Sequence, residues 1–229
     1  MGRIIAIGDV HGCFQELETL LKTLKPTRDD LLIQIGDLIN RGPGSAESIA
    51  LAREYRIKCL LGNHENRLLR YHWSKEESIL KKYDFETLEE LSHEDWLFLE
   101  SMPLFHHEAY MQTVFVHGGF LPFGEVPWFQ QSVEIVTEIQ VIDEDGHPGK
   151  RSKNDWHRPW ADFWNGPPFV VYGHTPRSRV YRKPWSLGID TSCVYGGHLT
   201  AFILPGGKIV QVPAKDTYVL GKSPSTPIE

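Results

Sequence analysis

Hydrophobic positions fall into short runs, and the runs stop at glycine. Ile4 to Ile7 ends at Gly8-Asp9, Leu31 to Ile35 at Gly36-Asp37, and Ile57 to Leu61 at Gly62-Asn63-His64. Thr113 to Val116 ends at His117-Gly118-Gly119, and Phe169 to Tyr172 at Gly173-His174. Short apolar or β-branched runs bounded by glycine predict buried strands. Between the first three runs the period turns helical. Phe14 to Leu24 sets Leu17, Leu20, Leu21 and Leu24 on one face, and Ser45 to Tyr55 follows Pro43-Gly44 with Ser45 as candidate N-cap. The front of the chain therefore predicts β-α-β-α-β, a pattern that gathers ligands at the carboxyl ends of its strands.

Residues 64 to 101 predict mostly helix, and the acidic run Glu86 to Glu94 a solvated helix face. Residues 121 to 166 are irregular and rich in proline and aromatics. Their tryptophans between 156 and 164 are expected to pack under a long loop, with stacking on an adenine as the alternative. Asp143 to Gly149 carries turn chemistry. Strands return at Ser186 to Ile189, Leu199 to Leu204 and Lys208 to Val212. The expected organisation is a single domain over 1–213 with a peripheral tail over 214–229.

Composition narrows the classes. The chain has 229 residues, 41% hydrophobic and 24% charged, enough for a sizeable globular core. No apolar run reaches the roughly 18 residues of a membrane span, and the start turns acidic too soon for a secretory signal. Three scattered cysteines make no disulfide framework, so a cytoplasmic location is expected. Lys+Arg total 24 against 30 Asp+Glu, a net charge of -6 with no basic block, which argues against nucleic acid as a partner. Phosphate substrates remain open, because bound metal ions supply positive charge locally.

Asp9, His11, Asp37, Asn63, His64, His117 and His174 all lie at predicted strand ends. Carboxylates, imidazoles and one amide form a nitrogen–oxygen ligand set that suits Mn, Fe, Zn or Co. The set is too large for one tetrahedral zinc. It suits two ions about 3.5–4 Å apart that share a carboxylate and a bridging hydroxide, poised for in-line attack on phosphorus. Arg41, four residues past Asp37, offers a guanidinium for phosphate. Neighbouring side chains tend to point apart, so if Asn63 faces a metal, His64 can give a proton to the leaving group. No cysteine or serine is evidently placed as a nucleophile, so the attack is expected to be direct. Cys13, beside the first motif, reads as a small buried hydrophobe before it reads as a redox thiol.

Gly8-Asp9-Val10-His11-Gly12, Gly36-Asp37 through Arg41-Gly42, Gly62-Asn63-His64-Glu65, His117-Gly118-Gly119 and Gly173-His174 together resemble the PPP-type, calcineurin-like metallophosphoesterases. That group includes Ser/Thr protein phosphatases and bacterial diadenosine tetraphosphatases. The resemblance implies an α/β fold, a β-sandwich flanked by helices with its active site at the strand C-terminal ends. Tyr172 to Pro176 and Ile189 to Ala201 resemble the bacterial tetraphosphatase branch, and also the phosphatase domain of polynucleotide kinase-phosphatases. By resemblance, Asp9, His11 and Asp37 hold one metal, and Asp37, Asn63, His117 and His174 the other. His64 is the implied general acid and Arg41 binds phosphate. A second phosphate arginine is expected at Arg158, with Arg151 as the alternative. Manganese is the first expectation for both ions, with iron, zinc, cobalt or nickel as alternatives.

Three positions depart from the family pattern. Asn40 stands where the family has an aspartate that pairs with the catalytic histidine. An amide keeps a hydrogen bond but brings no charge, so His64 is expected to hold its proton less strongly. That tilts the expectation toward leaving groups that barely need a proton, such as those of nucleoside polyphosphates. His198 stands where relatives often carry arginine, as a substrate contact or as a strand start, and Ser192 stands where they have glycine. The expected activity is a dimetal phosphohydrolase acting on dinucleoside polyphosphates. Phosphoproteins rank next and nucleic-acid end phosphates third. The alternative of another class is a metal-binding scaffold without turnover.

Overall fold

A computed structural model describes residues 2–151 and 158–220. In chain order its elements begin with β1 (Ile4–Ile7), α1 (Phe14–Leu24), β2 (Leu31–Gln34), α2 (Ser45–Glu54) and β3 (Lys58–Cys59). Three helices follow, α3 (Asn63–Ser74), α4 (Lys82–Glu90) and α5 (His93–Glu100), then β4 (Phe105–Glu108), β5 (Thr113–Val116) and α6 (Val133–Glu138). The remainder is β6 (Val141–Ile142), β7 (Pro148–Gly149), β8 (Arg158–Pro159), β9 (Phe169–Tyr172), β10 (Tyr181–Lys183), β11 (Ser186–Gly188), β12 (His198–Leu204) and β13 (Lys208–Pro213).

Two five-stranded sheets stack, in the orders β13-β12-β1-β2-β3 and β10-β11-β9-β5-β4. β1, β2 and β3 run parallel, as the front of the sequence predicts, and β5, β9 and β11 form a second parallel set. Alternation along β1 divides its side chains between two cores. Ile4 and Ala6 face the other sheet, packing in one cluster with Phe115, Val171 and Leu187. Ile5 and Ile7 face the helices, in a cluster with Leu17, Leu20, Ile49 and Leu68. Burial on both faces explains the unbroken apolar run. A third core on the outer face of the second sheet gathers Val114, Val170, Phe120 and Trp160.

Trp160 is almost wholly buried, and its indole N–H donates to the Gly118 carbonyl at 3.0 Å. The tryptophan-rich stretch is thus packing at this position; Trp156 lies outside the described residues, as does the tail from 221 onward. One sequence expectation needs correcting. Gly44, not Ser45, is the N-cap of α2; Ser45 is the first helical residue and its hydroxyl accepts the Asn40 N–H at 3.0 Å. The acidic run Glu86 to Glu94 is exposed at its glutamates as expected, but it is split between α4 and α5, and α4 also bonds inward. Asp84 and Thr87 are buried, and Glu90 accepts the Ser45 N–H at 2.8 Å, so one polar face of α4 clamps the loop between β2 and α2. No described helix is long and apolar enough to cross a membrane.

Candidate active site

The loop after β2 is the centre of the site, and its backbone is held in an unusual shape. Asp37, Asn40 and Arg41 all have positive φ, at 56°, 72° and 76°. Each such residue costs on the order of 1 kcal/mol unless its surroundings hold it. Glu65, buried in the first turn of α3, does so. Its carboxylate accepts the N–H groups of Asp37 (3.0 Å), Leu38 (2.8 Å), Ile39 (3.1 Å) and Gly62 (3.0 Å). The N-terminal turn of α3 in return gives the His64 N–H to Asp37 Oδ1 at 3.0 Å, where the helix dipole favours a carboxylate. Glycine at 62 is required by proximity, since a Cβ there would stand 2.3 Å from the Asp37 nitrogen and 2.4 Å from its Oδ1. Gly173 serves Asp9 in the same way, with Oδ1 only 2.1 Å from a would-be Cβ.

Two sets of three ligand-type side chains converge here, His11 with Asp37 and His64, and Asp37 with His117 and His174. Within each set the ligand atoms lie within 4.8 Å of one another. Asp37 belongs to both sets, the placement of a carboxylate shared by two cations. Asn63 Oδ1 joins the second set, 3.1 Å from His117 Nε2. Asp9 stands beside them, its carboxylate accepting the His174 N–H at 3.0 and 3.2 Å. Backbone carbonyls fix three rings: Ile39 O lies 3.3 Å from His11 Nδ1, Ile35 O 3.0 Å from His117 Nδ1, and Glu138 O 3.1 Å from His174 Nε2. Such second partners set ring orientation at metal sites. The donor set, oxygen and imidazole nitrogen with one shared carboxylate, fits a pair of divalent ions.

Charge coupling is strong in this cluster. Burial and the neighbouring Asp190 push Asp9 well above the usual carboxylate range. Burial opposes the charge on Asp37, but His117, His64 and His11 hold it well below that range. Burial and Arg41 lower His11 to about 3, and burial with His117 lowers His174 to about 3. Burial works against His117 too, yet the Asp37 charge and hydrogen bond, with Asp9 beyond, carry it up to about 10. Burial likewise brings His64 well below an ordinary imidazole, with Asp37 opposing and Arg41, His11 and Arg67 assisting.

Arg41 reaches the same space. Its Nη1 is 2.9 Å from His11 Nε2, and its guanidinium lies over the rings of Tyr83 and Tyr195 at 5.3 and 5.7 Å. Tyr83 in turn stacks on His64 at 5.2 Å. Asn40 faces His64 as expected, but it also touches a residue that no motif pointed to, Asp84.

Arg158, the expected second phosphate arginine, is engaged elsewhere in this structure. Its exposed side chain pairs with Asp162 at 3.5 Å and lies over Phe163 at 4.9 Å, and Asp162 is further engaged by Tyr181 and Lys183. Arg151, the alternative, lies beside the loop that carries His174. Its N–H donates to Gln140, whose amide donates to the His174 carbonyl, and its Nη2 donates to Pro176 O at 3.4 Å. Burial and the charge of Arg177 lower the Arg151 pKa. His198 is exposed and starts β12, which favours the strand-start reading. Ser192 has φ 65°, the conformation glycine adopts most readily, and its N–H donates to Asp190 at 2.9 Å. Cys13 is fully buried; its contact with Cys193 and burial push the thiol far above the ordinary range, so it serves neither as nucleophile nor as exposed redox group.

Sequence reasoning gave no role to Glu65 beyond the helix start, and none to Asp84, Asp190 or Arg177. Asp190 is buried beside the cluster and pushed up to about 6 by burial and the Asp37 charge, against a Ser192 N–H bond. Arg177 is 6% exposed and lies 3.9 Å over the Tyr181 ring, and among the described residues its Nε has no hydrogen-bond partner. Its place three residues past His174 is its one signal in the sequence.

Known proteins carry the same pattern. The family model described as calcineurin-like phosphoesterase matches residues 2–207. An asymmetrical bis(5'-nucleosyl)-tetraphosphatase of Halalkalibacterium halodurans is 32% identical over 94% of this chain and 96% of its own. Its counterpart of that name in Bacillus subtilis is 31% identical over 93% and 95%. A crystal structure of a protein assigned as a diadenosine tetraphosphatase superposes with a TM-score of 0.80 at 32% identity, covering 93% of this chain and 94% of that one. A Ser/Thr phosphatase from Saccharomyces cerevisiae shares the fold, with a TM-score of 0.60 at 17% identity over 94% and 80%. Fold, strand-end cluster and near full-length relatives agree, and this chain belongs to the calcineurin-like phosphoesterases as a metal-dependent phosphoester hydrolase.

Proposed function

We propose that the chain hydrolyses dinucleoside polyphosphates asymmetrically, with manganese as its working ion. The observation that carries the reading is the likeness, over nearly the whole of both chains, to bacterial bis(5'-nucleosyl)-tetraphosphatases. The site's charge supports it. Arg41 lies at the Asp37 cluster, while Arg177 is in the segment after His174 and Arg151 donates to Pro176 O there, a spread that suits a chain of phosphates better than a single one.

Asp9, His11 and Asp37 would hold one ion, and Asp37, Asn63, His117 and His174 the other. When bound, the two ions acidify the attacking water and neutralise charge on the phosphate. Arg41 binds the phosphate under attack, and the His64 ring faces the departing oxygen. Arg151 takes phosphates further along the substrate.

The test is a side-by-side assay with manganese. Diadenosine tetraphosphate should yield AMP and ATP, with little turnover of a phosphothreonine peptide. Two molecules of ADP would contradict the asymmetry. Preference for the peptide would make the chain a protein phosphatase, and bound metal without turnover of either would favour the scaffold.

A further inference from the structure

Behind His64, four side chains on three segments form one hydrogen-bonded chain. Arg67, on α3, holds Asp84 of α4 by both oxygens, Nε to Oδ2 at 2.7 Å and Nη2 to Oδ1 at 2.8 Å. Asp84 Oδ1 accepts the Asn40 amide nitrogen at 2.8 Å. The same nitrogen stands 3.0 Å from His64 Nδ1. Asp84, Asn40 and His64 are all fully buried.

The oxygen and nitrogen ends of an amide have nearly the same shape, so its partners decide which way it faces. Asp84 meets donors on both oxygens: Arg67, and the Lys81 N–H at 2.7 Å. A carboxylate so paired only accepts, and the end of Asn40 that faces it must be the NH2 group. That group carries two hydrogens. One goes to Asp84 and the other is directed at His64 Nδ1. Arg67 Nη2, another donor, lies 3.4 Å from the same ring nitrogen. Nδ1 is therefore an acceptor, and the single proton of the ring sits on Nε2. Among the described residues the buried His64 Nε2 has no hydrogen-bond partner, and it lies 3.9 Å from Asp37 Oδ2, on the side of the metal cluster. Asn40 Oδ1 likewise has no hydrogen-bond partner among the described residues. That is the result when Asp84, rather than the amide's own needs, fixes the orientation.

We propose that Asp84 is a positioning residue for phosphoryl transfer: braced by Arg67, it orients the Asn40 amide and so fixes the His64 tautomer that presents Nε2–H to the substrate. The family's aspartate would accept from Nδ1–H and support a cationic ring; the Asp84–Asn40 pair supports a neutral one. Such a ring donates a hydrogen bond, but outright loss of its proton would leave an imidazolate. In an anhydride this suffices. The water oxygen joins phosphorus, the bridging P–O bond breaks, and its electron pair stays on the departing nucleotide's terminal phosphate. That oxygen accepts the Nε2–H bond while the proton of the water passes to solvent. An alkoxide would need a proton that this ring does not supply. The preference for anhydrides deepens the substrate reading above and rests on it; the tautomer does not.

The first arm of the test is nitrogen-15 NMR of histidine-labelled protein, with His64 identified by the signals lost in His64→Gln. The neutral ring should show a protonated Nε2 and an unprotonated Nδ1. In Asp84→Asn the amide at position 84 can offer either end, so the tautomers should mix or reverse. A purely structural Asp84 would lower Tm and leave the pattern unchanged, which overturns the proposal. The second arm is kinetic. Asp84→Asn should lower kcat about tenfold or more with KM within about twofold. Adding Asn40→Asp should recover kcat and raise turnover of an alkyl phosphate relative to the anhydride. There the amide at 84 can donate to a carboxylate at 40, which accepts from Nδ1–H. A double variant no better than Asp84→Asn would overturn the proposal. If Asp84→Asn alone does not fold, the double variant carries the NMR arm, where an unchanged Nε2–H pattern is the overturning result. If wild type prefers the phosphopeptide, the substrate reading fails while the NMR arm still decides the role of Asp84.

Discussion

Glu65 and Asp37 meet through the backbone: Glu65 Oε2 accepts the Asp37 N–H at 3.0 Å, while the Asp37 side chain turns away to accept His64 N–H and approach three imidazoles. A carboxylate with four backbone donors is what lets the next residues take left-handed angles without unravelling. Glu65→Gln keeps the size but replaces one acceptor oxygen with an NH2 group, which must face backbone N–H. The expected loss is about 3 kcal/mol of stability, for one or two stranded donors. Activity at a temperature where the variant is folded should also fall, because the loop carries Asp37 and Arg41. Denaturant unfolding and initial rates check both; an unchanged midpoint would mean that the loop is held by something else.

Metal loading should release protons. His117, carried up to about 10 by Asp37 and Asp9 against its burial, is protonated at neutral pH without metal. A ligand imidazole must be neutral. Filling the proposed centre at pH 7 should therefore expel about one proton from His117. Acid opposes loading, and apparent affinity should rise with pH up to about 10. Calorimetric titration with manganese in buffers of different ionisation enthalpy measures the count. Heats independent of buffer would show that His117 is not displaced from its proton.

Arg151 and Arg158 are expected to differ in their effect on substrate binding. Arg151→Ala should raise KM for the dinucleotide about tenfold, the cost of one charge-assisted phosphate bond. Arg158→Ala, which removes an exposed pair with Asp162, should change KM by less than about twofold. Steady-state kinetics of both variants decides. Equal effects would show that the rim is shaped differently when substrate is bound.

Far from the site, Arg3 and Asp30 tie the entry of β1 to that of β2. Asp30 accepts from Arg3 N, Nε and Nη2 at 2.9, 3.1 and 2.6 Å. The Arg3 hydrogen bond, helped by Thr27 N–H, holds the Asp30 carboxyl below the usual carboxylate range. A folded pKa lower than the unfolded value of about 3.9 stabilises above that pH and is lost as pH falls through the folded value. Asp30→Asn should cost about 2 kcal/mol at pH 7. The gap in Tm between variant and wild type should narrow below about pH 4. A gap constant with pH would assign the effect to packing.

Local chemistry was legible in the sequence and long-range clamping was not. The run Ile4–Ile7 and the periodic leucines of Phe14–Leu24 carry their own signals, and both elements have the bounds the pattern predicts. The cluster of Asp9, His11, Asp37, Asn63, His117 and His174 was legible because each residue lies just past an apolar run, close to a glycine. Asp84 sits 44 residues from the amide it touches, on a helix whose charge looks like that of any solvated face. Glu65 passed as a helix-start residue, since its bonds to Asp37, Leu38 and Ile39 span 26 to 28 residues. For Arg158 and Arg151 the sequence offers only neighbours, Pro159 and Trp160 beside the first, and neighbours report packing and not reach.

The polar face of α4 carries a consequence for how such enzymes diverge. Asp84, Thr87 and Glu90 each bind the segment 40–46 rather than substrate. On the pairing proposed above, the leaving group can be tuned through a helix outside the five motifs, and positions 40 and 84 depend on each other. Grafting residues 80–91 alone into a relative with an aspartate at position 40 would set two carboxylates against each other. A transplant that moves both segments together is the exchange this architecture tolerates.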